Sequence, residues 1–397
     1  MASDHDPESL SSTQKASLPP HVQDPALSQW NGETPQSPRF AQNLNDAESP
    51  RHRGQRSSNQ SSKDASRWHH TLHPHVRKEG ERNPLPKGIA HLMHPTHALL
   101  IHTGSELGSE QKWTSRNERK HRFVAVAPTG AQSRSARNSK MEKIEYWNVS
   151  WWVAQFFTWG SVVWVINGFA SFLPFGDSAH YEPALYCAGW TAFIGATIFE
   201  FGSILGMWEA WNREDTAGFG WSIKEALEGA KDETEQSERR VLDDKWVWFS
   251  LDRKYFREIG FLAAFFQFWA ATIFWISGFT AIPTIQATLA EHPAALNGAF
   301  WSPQVVGGSG FIISATFIML ETQEKWWKPN LTSLGWHVGF WNLVGGIGFT
   351  LCGALGYAAT ASHGAAYQSA LSTFWGGWAF LIGSLLQWYE SVNSVEQ

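Results

Sequence analysis

Gly383-Ser-Leu-Leu-Gln-Trp-Tyr-Glu390 ends an apolar segment of the chain on a carboxylate. Two other apolar segments end in the same way, in Gly202-Ser-Ile-Leu-Gly-Met-Trp-Glu209 and in Ser314-Ala-Thr-Phe-Ile-Met-Leu-Glu321. Each follows a loop that carries a histidine, and each loop follows an apolar segment that closes on a small residue and glycine. The pattern predicts three copies of one helical hairpin, because self-similarity at a regular spacing marks a repeated structural unit. The closing pairs are Asn167-Gly168, Ser277-Gly278 and Cys352-Gly353.

Six stretches reach the length of about 20 mainly apolar residues that a helix needs to cross the hydrocarbon of a bilayer. Trp and Tyr gather near their ends, as is usual where amphipathic rings meet lipid headgroups. The sequence therefore predicts an all-α, polytopic membrane protein whose six transmembrane helices form three parallel hairpin repeats. The predicted spans are Trp151–Leu173, Ala184–Trp208, Ile259–Ile282, Pro303–Leu320, Leu334–Tyr357 and Leu371–Tyr389.

The distribution of lysine and arginine predicts the orientation. The connections Pro174–Pro183, Pro283–Ser302 and Ala358–Ala370 contain neither residue, whereas the alternate segments after residue 140 contain all of them. Because basic residues stay on the cytosolic side, we expect both the N- and the C-terminus there. We expect an integral protein of the plasma membrane or of an endomembrane, surrounded by lipid and without a nucleic-acid partner.

The first 140 residues differ from the rest of the chain. They are polar and rich in histidine, with long Ser/Gln/Asn/Pro stretches and no periodic apolar pattern. Such a segment buries too little apolar surface to offset its chain entropy, so a disordered tail is expected. A second interpretation is that the native protein begins at Met141. The predicted organisation is a tail 1–140, hairpins 141–211, 259–327 and 328–397, and a charged, Trp-rich cytosolic loop 212–258.

A threefold arrangement of the hairpins would gather equivalent side chains into two rings. One ring, at the cytosolic rim, would hold three carboxylates that could attract cations to a pore mouth. The other, on the opposite face, would hold three imidazoles that could bind zinc or a transition metal. The simpler interpretation is that these residues mark the water boundary at helix ends and in loops. The first ring consists of Glu209, Glu321 and Glu390, and the second of His180, His292 and His363.

Glu200 is a candidate functional residue inside a span. It precedes Glu209 by nine residues, which places it about 13 Å deeper at the usual helical rise. An ionisable group at that depth is costly and marks a candidate functional site. Asn167, Gln267 and Asn342 are further polar residues within or near the spans, and each is a candidate partner of Glu200 in a proton-coupled site. The alternative is a protonated Glu200 that only stabilises helix packing.

Two parts of the chain resemble a known membrane unit. Phe374-Trp-Gly-Gly-Trp-Ala-Phe-Leu-Ile-Gly-Ser-Leu-Leu-Gln-Trp-Tyr-Glu-Ser391 is similar to the YrhK-like domain, and so is the stretch from Gly202 to Glu209. The whole chain also resembles the uncharacterised multi-pass integral membrane proteins that are common in filamentous fungi. The resemblance implies a membrane protein built from two-helix units, and it implies no activity.

The sequence contains no signature of a known catalytic or cofactor site. It has no glycine-rich lysine motif for phosphate, and no serine, histidine and aspartate pattern or paired cysteines of an enzyme. We therefore expect neither an enzyme nor a bound cofactor. The leading hypothesis is a transporter or channel-like protein for a small solute or cation. The alternative is a non-catalytic membrane scaffold or interaction protein.

Overall fold

The computed structural model of the protein describes residues 76–102, 110–120, 141, 143–176, 181–213 and 246–393. Within these residues the chain is mostly helical, and six helices are long and apolar enough to cross a membrane. The prediction of six apolar helices of membrane-spanning length is therefore confirmed. Most of the predicted cytosolic loop 212–258 lies outside the described residues, as do large parts of the predicted tail.

The six long helices form a closed ring. Each packs against its neighbours in sequence, and the last packs against the first. Their surfaces are apolar nearly all round, as expected for helices that contact lipid on one side and neighbouring helices on the opposite side. The six are α3 (Val149–Phe172), α4 (Tyr181–Trp211), α5 (Ile259–Thr280), α8 (Ser302–Thr322), α9 (Leu334–Gly356) and α10 (His363–Val392).

Several helices extend beyond the apolar stretches that predicted them. The predicted sixth span began at Leu371, whereas α10 begins at His363, where the Ser362 hydroxyl caps it by accepting a hydrogen bond from the Ala365 amide at 3.3 Å. A helix keeps its backbone hydrogen bonds outside the hydrocarbon, so hydropathy alone marks its ends poorly. The connection between α5 and α8 is also helical, with α6 (Pro283–Ala290), α7 (Pro293–Leu296) and a π-turn at Asn297–Trp301.

A cluster of six aromatic side chains fills the middle of the helix ring. Each long helix contributes one of them, and each is at most 4% exposed. The ring centroids of Phe274 and Phe349 are 5.2 Å apart, and those of Phe199 and Phe380 are 5.6 Å apart. Aromatic rings at these separations are in direct packing contact, so the bundle is solid at this depth. The aromatic cluster consists of Trp164, Phe199, Phe274, Phe311, Phe349 and Phe380.

A small folded unit precedes the bundle. Three antiparallel strands form one sheet in which the second strand lies between the first and the third, and α2 (Ser115–Arg119) follows the last strand directly. Ala98 and Trp113, a cross-strand pair, are 6% and 7% exposed. We call residues 76–102 and 110–120 the cap. Its strands and first helix are β1 (Val76–Arg82), α1 (Lys87–Ala90), β2 (His97–His102) and β3 (Glu110–Thr114).

The cap corrects two predictions. The expected disordered tail 1–140 is wrong for residues 76–102 and 110–120, which form strands and helices, and the chain is mostly helical rather than all-α. The remaining residues of that tail lie outside the described part of the chain. The cap was missed because its strands are short, two of them are polar, and the apolar run Ala98–Ile101 of β2 is only four residues long. It buries side chains against the end of the helix ring rather than in an apolar core of its own, so the compositional argument did not apply.

We expect Gly278→Ala to destabilise the bundle. A β-carbon at this position of α5 would lie 2.5 Å from Ala196 Cβ and 3.1 Å from the Ala192 carbonyl oxygen, both in α4. The two helices would have to separate, and such overpacking costs about 1–3 kcal/mol. The measurement is the thermal unfolding midpoint of the purified protein in detergent. Gly206→Ala is the matched control, since nothing lies within 4 Å of its added β-carbon; an equal loss in both variants would contradict the close contact.

Candidate functional site

Three basic side chains of the cap reach into one end of the helix ring. Two come from α2 and the third from the residue that directly follows it. The first turn of α2 is capped by the Thr114 hydroxyl, which accepts a hydrogen bond from the Asn117 amide at 3.3 Å. Residues three and four apart share one face of a helix, so Arg116, Arg119 and Lys120 extend in the same direction. Their side chains are 6%, 11% and 2% exposed. The cap therefore buries three cationic groups.

Three carboxylates meet these basic side chains. Glu209, Glu321 and Glu390 lie in the last turns of α4, α8 and α10, and each is at most 5% exposed. The structure thus brings together the three glutamates that the repeat pattern places in one ring. A carboxylate so deeply buried needs an ionic partner and hydrogen bonds, and here both come from the cap.

The two arginines each bind one carboxylate with two hydrogen bonds and approach a second one. Arg116 donates from Nε and Nη2 to Glu390 at 2.9 and 2.7 Å, and its Nη1 lies 3.6 Å from Glu321. Arg119 donates from Nη1 and Nη2 to Glu321 at 2.7 and 2.8 Å, and its Nε lies 3.6 Å from Glu209. Paired bonds between a guanidinium and a carboxylate are the strongest and most directional of such contacts.

Lys120 completes the arrangement. Its Nζ lies 3.5 Å from Glu209 Oε1 and 3.9 Å from Glu390 Oε2. Every cation therefore stands between two carboxylates and every carboxylate between two cations, so the six charges alternate around a circle and sum to zero. The charge ring consists of Arg116, Arg119, Lys120, Glu209, Glu321 and Glu390.

Burial and the neighbouring charges shift the pKa values of the three bases. Burial lowers the pKa of Arg116, but Glu390 and Glu321 raise it by more, so the pKa lies above its ordinary value. The same opposition between burial and the carboxylates leaves the pKa of Arg119 raised. At Lys120 burial outweighs the attraction of the carboxylates and lowers the pKa. The arginines are thus firmly charged, and Lys120 is the member whose charge is least stabilised.

Small residues at the helix starts make room for the guanidinium groups. A β-carbon on Gly335 in the first turn of α9 would lie 2.5 Å from Arg116 Nε. One on Gly260 in the first turn of α5 would overlap the guanidinium of Arg119. By the same spacing, the first turn of α3 carries Ser150, which is 1% exposed. The helix ring is therefore shaped for the basic groups that enter it.

Backbone hydrogen bonds also hold the cap to the bundle. The amide of His94 donates to the carbonyl of Arg257, just before α5, at 2.7 Å. The amide of Trp326, between α8 and α9, donates to the carbonyl of Pro84 at 2.8 Å. These contacts lie at the same end of the bundle as the charge ring, so the cap is docked at several separate points.

A cavity of about 80 Å³ adjoins the charge ring. All six long helices and the cap contribute to its wall, so we call it the axial cavity. Phe157 lines it and lies seven residues, or about two helical turns, before Trp164 of the aromatic cluster. The cavity is therefore bounded by the charge ring at one end and lies toward the aromatic cluster at the other. Three amides face it: Gln267, Asn342 and Gln387.

The structure separates the polar residues that the sequence singled out. Gln267 and Asn342 line the axial cavity together with Glu209. Asn167 does not line it; its side-chain nitrogen donates to the Ala188 carbonyl at 2.6 Å and to the Thr191 hydroxyl at 3.1 Å. Asn167 therefore joins α3 to α4.

Glu200 also lies away from the axial cavity. It is half-buried between α4 and α5, where the Thr272 hydroxyl donates to its Oε1 at 2.9 Å and the Ser203 hydroxyl to its Oε2 at 3.4 Å. Its hydrogen-bond partners are hydroxyl groups rather than the amides proposed from the sequence. This geometry favours a role in packing two helices together.

The predicted histidine ring has one member outside the described residues, His180. Of the other two, His292 precedes α7 and His363 opens α10, where its ring packs edge-on against Phe175 at 5.5 Å. Within the described part of the chain, no group of three or more His, Cys, Asp or Glu side chains is placed to hold a metal ion.

Sequence reasoning missed the basic half of the site. Arg116, Arg119 and Lys120 lie in a segment expected to be disordered, and Gln387 was passed over as part of an apolar stretch. A signal was present, since Thr114-Ser-Arg-Asn-Glu-Arg-Lys120 places a capping residue before three bases that share one helix face. The three bases on one helix face equal in number the three carboxylates at the helix ends. However, no sequence rule predicts that two segments so far apart in the chain are in contact.

We expect Arg116→Gln to destabilise the protein by about 3–5 kcal/mol, because it leaves buried carboxylates without their partner. Glu390→Gln should cost a similar amount, and the double variant should recover much of the loss. The thermal unfolding midpoint in detergent measures all three, as a double-mutant cycle. Arg82→Gln is the control, since its pair with Glu324 is more than half exposed and should contribute at most about 1 kcal/mol. Additive losses in the double variant would refute the coupling.

Acid should loosen the cap. Burial lowers the pKa of His97 below its ordinary value of 6.5, and burial with Arg213 and Arg257 lowers that of His94. A group whose folded pKa is lowered binds its proton more readily once the cap is released, so the docked form loses stability as pH falls below 6.5. Limited digestion of the full chain with proteinase K, which stays active between about pH 7.5 and pH 5, measures release.

The variant His94→Gln with His97→Gln should flatten this acid response. His363→Gln, at the far end of α10 from the charge ring, is the control and should leave the response intact. Digestion that stays constant with pH in the unaltered protein would contradict the prediction.

Comparison with known proteins finds no similar molecule. No family of proteins matches the sequence, no curated protein matches it, and no solved structure matches the fold. The resemblance to YrhK-like units therefore stays a prediction. What the site does has to be argued from its own geometry, which combines a buried, neutral charge ring with a polar cavity inside an apolar bundle.

Proposed function

We propose that the protein is a transporter or channel-like membrane protein for a small solute, held by its own cap in a closed state. In this proposal the three hairpins are parallel repeats about an axis along the membrane normal, with both termini in the cytosol. The axial cavity is the solute site. The charge ring joins the cap to the bundle over that site, and the aromatic cluster separates it from the far side.

Equivalent spacings in the three hairpins support the repeat. Ten residues before each glutamate of the charge ring is a phenylalanine of the aromatic cluster. Four residues before the glycine that marks each odd helix is another aromatic residue of that cluster. Side chains at equivalent positions thus meet near one line through the bundle. The aligned sets are Phe199, Phe311 and Phe380 with their glutamates, and Trp164, Phe274 and Phe349 with Gly168, Gly278 and Gly353.

The observation that carries the proposal is the axial cavity itself. Gln267, Asn342 and Gln387 line it, in a bundle whose helices are mainly apolar. Polar groups inside a membrane bundle are costly, and they are typical of substrate and ion pathways. A bundle built only for stability would fill this space with apolar side chains.

A second candidate function is a membrane scaffold without transport. The aromatic cluster favours it, because six rings in contact leave the bundle solid along part of its axis. The segment after residue 246 also offers exposed apolar side chains, with Phe249 and Leu251 69% and 68% exposed. Exposed apolar groups of this size are typical of surfaces that meet lipid or protein.

A cap locked by a disulfide separates the two functions. The backbones of His94 and Arg257 lie against each other, joined by a hydrogen bond of 2.7 Å, so cysteines are placed at both positions to bridge the cap and the bundle. The exposed Cys187 is replaced by serine in this variant to avoid wrong pairing. The protein is placed in liposomes, and entry of urea, glycine, glycerol and potassium is followed with and without oxidation.

We expect one or more of these solutes to enter faster than into protein-free liposomes, because the cap opens at intervals. Oxidation of the double-cysteine variant should stop this entry, and dithiothreitol should restore it. The two single-cysteine variants are controls and should not respond. Entry at the protein-free rate under every condition would refute the transport function and support the scaffold function.

A further inference from the structure

Two buried charged atoms beside the axial cavity lack hydrogen bonds. Lys120 and Glu209 both line the cavity. Neither Lys120 Nζ nor Glu209 Oε1 has a hydrogen-bond partner among the described residues. They are 3.5 Å apart, close enough to attract but beyond a well-formed hydrogen bond. Buried polar atoms are nearly always satisfied, so these two point to something that binds beside them.

Three uncharged side chains that line the cavity also lack hydrogen-bond partners among the residues that the structure describes. We find no hydrogen-bond partner for the side-chain amides of Gln267, Asn342 and Gln387 within the described part of the chain, although all three line the cavity. Each amide offers two donor hydrogens and an oxygen acceptor. The wall therefore presents donors and acceptors of both kinds at short range.

The balance of charge restricts what can bind. Three cations and three carboxylates of the charge ring already cancel, and each is paired. An ion that entered the cavity would be a seventh buried charge without a partner, which is strongly unfavourable in a site of low dielectric constant. This excludes the cation that the glutamates alone would suggest, as long as the cap is docked.

We propose that the axial cavity binds a small molecule without net charge that carries a hydrogen-bond donor and an acceptor on neighbouring groups. A zwitterion or a small amide has this chemistry. Its acceptor lies against the Lys120 ammonium and its donor against the Glu209 carboxylate, and the three amides bind the remaining polar atoms. The inference rests on the proposed solute site and names the class of solute.

The size of the cavity limits the ligand. About 80 Å³ corresponds to several water molecules at about 10–15 Å³ for each, and thus to a molecule of a few non-hydrogen atoms. Phe157, Ile318 and Val338 supply apolar wall between the polar groups. A larger metabolite would have to displace the cap or the aromatic cluster.

The test measures binding of radiolabelled glycine and radiolabelled urea to the purified full chain by equilibrium dialysis in detergent. Acetate and ethylammonium are the matched competitors. Acetate carries only the carboxylate of glycine, and ethylammonium carries only an ammonium group. We expect glycine, urea or both to bind saturably, one per chain, and to resist excess acetate or ethylammonium. Binding of glycine identifies a zwitterion site, and binding of urea alone identifies an amide site.

Two outcomes overturn the inference. If acetate or ethylammonium competes as well as unlabelled glycine or urea does, the argument from charge balance is wrong. If neither labelled probe binds saturably, the proposed class of ligand is wrong.

Variants locate the binding in the cavity. Gln387→Leu and Asn342→Leu each remove an amide at similar volume and leave the charge ring intact, and each should weaken binding by about tenfold or more. Glu200→Gln alters a polar group outside the cavity and should leave binding unchanged. Equal loss in all three variants would place the binding elsewhere.

Transport and binding can fail separately. Saturable binding without entry into liposomes would refute the transport function and support the ligand site in the axial cavity. Entry of a solute without binding of either net-neutral probe would support the transport function and refute a ligand without net charge.

Discussion

Three buried carboxylates that end three helices are the constraint on which the rest of the structure depends. An unpaired carboxylate in such a place is too costly to keep ionised, and three of them close together repel one another. The cap removes this cost with three bases, each shared between two carboxylates. The close packing of the helix ends, the small residues at Gly260 and Gly335 and the docking of the cap all follow from that pairing.

The same constraint ties the cap to the bundle. Without Arg116, Arg119 and Lys120 the six long helices would keep their apolar packing and lose the cations at their ends. Their three carboxylates would then need other cations, protons or water. The cap is thus part of the membrane unit in an energetic sense, although the sequence of the cap resembles a polar tail. Composition describes what a segment can bury in itself, whereas the cap is stabilised by what it binds.

The sequence predicted the parts of this protein that rest on local patterns. Apolar length predicted the six helices, and the spacing of Glu209, Glu321 and Glu390 predicted that these residues lie together. It did not predict the cap, because contacts between residue 116 and residue 390 leave no local trace. It also favoured Glu200 for its depth, but depth along a helix does not tell which side of the helix a residue occupies. Glu200 faces Thr272 of the next helix rather than the cavity.

The polar groups of the cavity lie at positions that differ among the three proposed hairpin repeats. Gln267 and Asn342 occupy equivalent positions of α5 and α9, and the third equivalent is Phe157. Gln387 precedes its glutamate by three residues, where the other two hairpins have Gly206 and Ile318. In the proposed threefold repeat, helices that pack alike would bury similar side chains at equivalent positions. An amide at only one or two of three equivalent positions around a shared cavity suits the binding of a small asymmetric molecule, as the proposed solute site requires.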